Sequence, residues 1–404
     1  MTEVPTTRRA RALESRARLT EHAAEMFGRQ GFPPVRMADI GARVGVTARA
    51  LYRHFPNKQA LLFGICLDAQ IRYLDALSSG DGDGDGDGGP GAGFDGSVRA
   101  FLAVSLEQRD HAMLWQRDGR YLNPEQHAEL AAGLREMVAR LAALIAALDG
   151  GDAAGPEHRM RARALLSVLT SSGQHPLPQP RPETDELLVR IAHAVARPGP
   201  AVDAPPTTTV SAVLESRTEQ LLSAATRLFA ASGYPGVTLE DIAAEVGLLG
   251  PSIYHYVDTK ADILVRLVER WYEWQALALL RGLNGAGPDP IDRLRAAFAE
   301  IGTLTLQFPD LYGVALTERL YLPEAATARI ERTQAGLLRT LTSALREARG
   351  ELNPAAAATV LYAAIAVTGD LARSPRLRED PDLARHVASI RDRILFAGPG
   401  GDSE

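Results

Sequence analysis

The sequence predicts an all-α protein made of two tandem copies of one helical unit, and three observations carry that expectation. Alanine, leucine and arginine dominate, aromatic residues are only 6%, and no run rich in Val, Ile, Thr and Tyr reads as a strand. Shifting the 404-residue chain by 202 superimposes Leu19/Leu221, Phe27/Phe229, Gly31/Gly233, Pro33/Pro235, Val35/Val237, Asp39/Asp241, Ile40/Ile242, Gly45/Gly247 and Leu62/Leu264 without a gap. A repeat at fixed offset sets the architecture before any local pattern is weighed. The chain also holds only two lysines, Lys58 and Lys260, at equivalent places in the two copies.

The first copy opens with a helix over roughly 13–30, with Leu19, Ala23, Met26 and Phe27 on one face. Gly31 ends it, and Phe32-Pro33-Pro34 forces an extended connection. A short helix over about 37–44 stops at Gly45; Thr47 is a natural N-cap for a helix over 48–54, and Asn57 for a long helix from 58 to about 77. Two short helices around a glycine turn form the helix-turn-helix pattern. The second copy repeats it near 213–232, 239–246, 250–256 and 260–281. There Thr238 and Asp241 have capping-box spacing, which the first copy lacks because Arg36 replaces the threonine. Amphipathic helices follow near 97–110, 112–122, 125–149, 157–173 and 184–196, and again near 289–307, 309–321, 324–349, 354–373 and 381–396.

Several function classes fall away. The single cysteine, Cys66, excludes an intramolecular disulfide and a multi-cysteine zinc site, and reads as an apolar filler in a helix. In the Gly/Asp run 80–93, Gly84, Gly86 and Gly89 satisfy GxGxxG, but no strand precedes them. The aspartate spacing there imitates a calcium loop, yet the twelfth position is Ala92 or Phe94 where a glutamate is needed. A disordered acidic loop is expected, with no metal and no cofactor. No nucleophile elbow, HExxH, Walker sequence or Cys–His cluster supports an enzyme. The arginine-rich start lacks an apolar core, and no apolar stretch approaches the roughly 20 residues of a membrane span, so a soluble, cytoplasmic protein without a membrane partner is expected. The net charge of −6 is unevenly spread: residues 1–78 hold 12 Lys/Arg against 7 Asp/Glu, and 203–280 hold 5 against 10.

Met37-Ala38-Asp39-Ile40, Val44-Gly45-Val46-Thr47, Leu51-Tyr52-Arg53-His54-Phe55 and Asn57-Lys58 together resemble the DNA-binding domain of the TetR family of bacterial repressors. So do Leu239-Glu240-Asp241-Ile242, Val246-Gly247-Leu248, Ile253-Tyr254-His255-Tyr256 and Lys260. The resemblance covers 13–65 and 213–267 closely, and elsewhere rests on the number and position of helices. The tandem arrangement, with Trp115-Gln116-Arg117 and Arg120-Tyr121-Leu122 after the first motif, is similar to that of a mycobacterial repressor of a lipid-uptake (mce) operon.

The resemblance implies helix-turn-helix domains over 1–78 and 213–282, and ligand-binding and dimerisation domains over 96–197 and 283–397. Residues 79–95 form the acidic loop and 198–212 a Pro/Thr-rich linker. Family members pair their last two helices with a partner's in a four-helix bundle. Here the partner is the other half of the chain, an intramolecular pseudodimer, and further self-association stays open.

In a helix-turn-helix the second helix enters the major groove and its first residues meet base edges. In the first copy these are Ala48, Arg49 and Ala50, with Arg53 one turn on, and arginine pairs bidentately with guanine for about 1–3 kcal/mol of discrimination. Tyr52 and His54 resemble backbone-contacting positions, Arg36 and Thr47 are further DNA-binding candidates, Leu51 and Phe55 pack inward, and Lys58 reads as a phosphate clamp. The arm Arg8, Arg9, Arg11, Arg16 and Arg18 either tracks DNA or is a charged tail. The second copy offers Thr238, Gly250, Ser252, Tyr254, His255, Tyr256 and Lys260 without an arginine reader, so weaker binding is expected there. Trp115, Arg117, Arg120, Tyr121, Tyr312, Glu318, Arg319 and Tyr321 are candidates for the ligand pocket.

The resulting expectation is a repressor that covers an asymmetric duplex operator and is released by a small, lipid-like effector. Alternatives are DNA reading by the first copy alone, with the second as a dimerisation or sensing platform, or an interaction scaffold that no longer binds DNA.

Overall fold

Left-handed glycines set the corners that the repeat marks. Gly45 (φ 74°) closes its helix by donating to Ala42 O while Val46 N reaches Gly41 O at 2.9 Å, and Gly247 (φ 69°) sits in the matching corner with Leu248 N on Ala243 O at 2.8 Å. The computed structural model describes residues 4–79, 90–175, 180–199 and 215–397, and among these every regular element is a helix. The first half contains α1 (Val4–Gln30), α2 (Met37–Val44), α3 (Ala48–Tyr52), α4 (Lys58–Ser79), α5 (Pro90–Glu107), α6 (Arg109–Asp118), α7 (Pro124–Asp149), α8 (Pro156–Thr170) and α9 (Arg181–Ala196). The second contains α10 (Arg217–Ser232), α11 (Leu239–Glu245), α12 (Lys260–Gly285), α13 (Pro290–Gln307), α14 (Pro309–Thr317), α15 (Glu324–Ala348), α16 (Pro354–Arg373) and α17 (Leu383–Leu395).

The caps follow the sequence. Asn57 Oδ1 accepts Ala60 N at 2.7 Å, and Thr259 and Asp262 make the equivalent box in the second half. Thr238 and Asp241 form the expected capping box. In the first copy half of it survives: Asp39 still accepts Arg36 N at 3.1 Å, although a guanidinium has no acceptor to return the bond. Three local expectations change. α1 begins at Val4 and not near residue 13, so Arg8, Arg9, Arg11, Arg16 and Arg18 lie on a continuous helix, consistent with the helix propensity of Ala, Arg and Glu. α5 begins at Pro90, inside the stretch expected as acidic loop; residues 80–89 of that loop, and 200–212 of the linker, lie outside the described residues. The second recognition element, Gly250–His255, is a 3-10 helix, with Pro251 among its first residues.

Three apolar clusters hold the chain. Phe27, Ile40, Leu51, Phe55 and Leu62 centre the first, and Phe229, Ile242, Ile253, Leu264 and Trp271 the second. The third joins the halves: α8 and α9 pack on α16 and α17, and Leu165, Val168, Ile191 and Val195 share a core with Val360, Leu361, Val367, Val387 and Ile390. This is the expected internal bundle. Each fully buried aliphatic side chain contributes about 1.5–3 kcal/mol.

Arginines close the bundle ends. Arg161 caps Ala196 O, Arg349 donates to Leu395 O (2.9 Å) and Ala397 O (2.6 Å), and Arg393 crosses to Val195 O (3.1 Å). One expectation about apolar length is corrected here: Pro354–Arg373 is long and apolar enough to cross a membrane, yet 67% of its most apolar window is buried inside the protein, as for a core helix.

Candidate nucleic-acid interface and helical cavities

The recognition elements rest on buried anchors and present polar groups outward. Beneath α3, Leu51 and Phe55 are buried as expected, while Arg49, Arg53 and Tyr52 are exposed and His54 is half-buried. Neither arginine makes an ion pair among the described residues, so both guanidinium groups are available to a ligand. Thr47 and Arg36 are exposed at the helix starts on either side of the Gly45 turn. The side chains of Ala48, Ala50 and Gly250 lie outside the described residues. In the second copy Ile253 and Val257 are the anchors; Tyr254, His255 and Tyr256 are exposed and Ser252 is half-buried.

The two lysines have a different task from the one expected. Lys58 Nζ donates to Phe32 O, Pro33 O and Val35 O at 2.8–2.9 Å and lies 4.3 Å from the centre of the Phe32 ring. An ammonium has three hydrogens, and all three are committed. Lys260 repeats the arrangement with Tyr234 O (2.8 Å), Val237 O (2.6 Å) and the Tyr234 ring. Partial burial holds both ammonium groups below the usual lysine range. The lysines thus pin the connection between the first and second helices of each copy, and Lys58 has no hydrogen left for a phosphate. Their shared position reflects loop carbonyls that need a donor in both halves.

Five of the pocket candidates form a junction between halves. Arg117 donates to Phe27 O (2.6 Å) and Gly28 O (3.2 Å) at the end of α1, and pairs with Asp118 at 2.7 Å. The equivalent carbonyl in the second half, Phe229 O, is reached from across the junction by Arg120 at 3.0 Å, because Thr317 is too short to copy Arg117. Arg120 also pairs with the fully buried Glu318 at 2.7 Å, and Glu318 Oε2 accepts Tyr234 N at 3.0 Å. Tyr121 and Tyr321 cross over each other's halves. A Cβ on Gly31 would lie 2.3 Å from Tyr321 Oη, and one on Gly233 would lie 3.0 Å from Tyr121 Oη. Arg117, Arg120, Tyr121, Glu318 and Tyr321 are therefore structural, correcting their assignment to a ligand pocket.

Two cavities among the described residues are reached by the pocket candidates. The first, of about 280 Å³, is lined by Cys66, Tyr73, Trp115, Gln116 and Arg163, and is closed by Asp370 and Arg373 of the second half. Cys66 is buried there and its thiol is pushed up to about 12 by burial. The second, of about 420 Å³, is lined by Trp271, Tyr272, Tyr312, Arg319 and Tyr362, and is closed by Met113, Gln174 and His175 of the first half. Of the sequence candidates, then, Trp115, Tyr312 and Arg319 reach cavities. Gln174, His175, Asp370 and Arg373 were missed, since periodicity within one half gives no sign of a wall supplied by the other.

A helix-turn-helix on a packed helical support is the arrangement that presents a helix to the major groove, and this chain builds two such units. Residues 19–65 and 221–267 each match the family model described as bacterial regulatory proteins, tetR family. The HTH-type transcriptional repressor KstR2 of Mycobacterium tuberculosis is 30% identical over 89 residues, which make up 22% of this chain and 44% of that protein. The chain thus spans less than half the length of that relative. Among solved structures, the TetR family regulator PfmR of Thermus thermophilus is 20% identical, with a TM-score of 0.39 over 44% of this chain and 97% of its own. The ketosteroid regulator KstR2 of M. tuberculosis gives 20% identity and a TM-score of 0.39 over 45% of this chain and 93% of its own. A tetR-family regulatory protein from Rhodococcus gives 24% and 0.37 over 44% and 95%.

Replacing Lys58 by Met leaves three carbonyls without their donor. We expect a loss of about 2–4 kcal/mol in unfolding free energy, with no change in the salt dependence of DNA binding by the folded fraction. Urea titration and binding at several salt concentrations check this; a salt slope lowered by about one with stability unchanged would restore the clamp.

Arg120→Ala strands Glu318, a carboxylate that is 1% exposed, and should cost about 3–5 kcal/mol. Arg120→Met with Glu318→Leu should recover much of that loss, and a double-mutant cycle showing no coupling would contradict the junction.

Proposed function

We propose that this protein is a transcriptional repressor that occupies one asymmetric operator per chain and leaves it when a small molecule fills a helical cavity. The observation that carries the reading is the pair of tetR-family helix-turn-helix units whose outward faces differ. Arg49 and Arg53 stand exposed over buried Leu51 and Phe55 in the first, whereas Ser252 and His255 ride a 3-10 turn in the second. Electrostatics points the same way, since phosphate attraction supplies most non-specific affinity and only the first helix-turn-helix region carries a net positive charge. Repression is assigned as the sign because the relative matched over 89 residues is named a repressor. A lipid-like effector fits the aromatic and aliphatic lining of the second cavity.

The link from cavity to DNA runs through α14. This helix contributes Tyr312, Ala315 and Leu316 to the second cavity, and its last turn leads into Thr317 and Glu318 at the junction under both DNA-binding units. A ligand that shifts α14 therefore loads the contacts that orient the two recognition elements. A second reading, in which only the first copy touches DNA, draws on the 3-10 winding of Gly250–His255 and the surplus of acidic residues around it.

Footprinting with scanning substitutions tests both readings. Arg49→Ala and Arg53→Ala should each weaken specific binding by about 1–3 kcal/mol and relax base preference locally, with far less effect on random duplex. The site should have one sharply specified half and one looser half. A perfect inverted repeat, equally sensitive in both halves and with centres roughly 34–36 Å apart, would mean that two chains read DNA through their first copies alone.

A further inference from the structure

We propose that the second cavity is the effector site and that it takes a hydrophobic monocarboxylate, with a ring-bearing body against the second half and its carboxylate held by Arg319 together with Gln174 of the first half. The proposal rests on the ligand-controlled reading above and supplies the chemistry of the ligand. The cavity wall is aromatic: Trp271 and Tyr312 meet with ring centres 5.4 Å apart, and His175 stacks on Tyr362 at 4.1 Å with the rings 9° from parallel. Flat apolar walls favour a flat apolar body.

The polar groups in this cavity are under-satisfied. Gln174 Oε1 and Nε2 and His175 Nε2 are all buried without a hydrogen-bond partner. Buried polar groups are rarely left unmatched in folded proteins, and one explanation for such groups is a missing ligand. Arg319 donates to Tyr272 Oη (3.4 Å) and Gln334 Oε1 (2.8 Å), both neutral, and makes no ion pair among the described residues. Burial and the nearby Arg319 charge bring the His175 imidazole down to about 4, so it is neutral near pH 7 and Arg319 is the cation facing the pocket interior. One cation with amide and imidazole donors beside it matches one carboxylate.

The first cavity also has buried polar atoms without a partner, Tyr73 Oη and Arg373 Nε, but there a carboxylate is already bonded to an arginine. It is smaller, Arg373 is already paired with Asp370 and bonded to Gln116, both at 2.9 Å, and the Asp370 charge also acts on Arg163. The first cavity holds Asp370 together with Arg163 and Arg373, whereas in the second Glu331 also lies on the lining but Arg319 makes no ion pair with it or with any other described residue. Gln174 and His175 follow α8, the bundle helix of the opposite half, so the ligand would touch both halves at once.

Calorimetric titration of the full chain with 1-pyrenebutyrate, and with the uncharged 1-pyrenebutanol as control, tests the assignment without DNA. Its failure is therefore distinct from failure of the operator reading. The acid should bind at least about tenfold more tightly than the alcohol, the ratio expected for one charge-assisted hydrogen bond. Arg319→Met should erase that preference, Arg319→Lys should restore part of it, and Gln174→Leu should weaken the acid alone. Arg163→Met, in the first cavity, should leave both affinities unchanged. Equal binding of acid and alcohol, indifference to both Gln174→Leu and Arg319→Met, no binding of the acid, or a loss confined to Arg163→Met would each overturn the proposal. Where Arg319→Met lowers the folded fraction, Gln174→Leu, on a short turn, decides the outcome.

Discussion

The close approach of two tyrosines to two glycines is the constraint on which the placement of the helix-turn-helix units depends. Tyr321 Oη abuts Gly31, and Tyr121 Oη abuts Gly233, each glycine in the left-handed region and without a Cβ in the way. Behind each tyrosine the packing is continuous. Tyr121 stacks on Phe32 at 5.2 Å, and Phe32 lies under Lys58, which holds the loop after α1; Tyr321, Tyr234 and Lys260 repeat the series. Each helix-turn-helix unit is thus tied to its own half by a lysine–ring–ring stack and touched by the other half at its glycine. Neither can reorient without disturbing the junction.

Fusing the halves into one chain lets the junction be unequal. In a homodimer any change appears twice; here Arg117 serves its own half, Thr317 cannot, and Arg120 serves the other. The buried Arg120–Glu318 pair is costly to form but strongly unfavourable to break, so its value lies in fixing one register more than in net stability. The shared bundle supplies the attraction: helix α16 buries Val360, Leu361, Val367 and Leu371, and its many alanines let α8 approach closely. A covalent connection between halves further favours this docking over pairing with a second chain.

The cavities show the same division of labour. Each has walls from one half and a polar closure from the other, and α6 and α14 carry cavity residues a turn away from junction residues. Under the ligand-controlled reading proposed above, a ligand in a cavity would act on the recognition elements through these helices.

By itself the sequence determined the helices, their caps and the repeat. Periodicity and capping act over a few residues, so Gly45, Asn57, Thr238 and the buried Leu51 and Phe55 were legible from local spacing alone. The outward arginines of α3 were legible for the same reason. What a side chain touches beyond its own helix was not. Lys58 at a helix start looks like a phosphate ligand until three loop carbonyls are brought to its ammonium. Arg117 looks like a pocket residue until the end of α1 brings its carbonyls, and Arg120, Tyr121 and Tyr321 do until each meets a carbonyl, carboxylate or glycine of the opposite half. Gln174 and His175 gain meaning only because α8 packs on α16 and carries the turn after it into the other half's cavity. Local energetics sets the helices, whereas the partners of charged and aromatic groups are chosen by contacts between residues distant in the chain, from 23 positions for Lys58 to 198 for Arg120, and the longest of these exist only once the two halves dock.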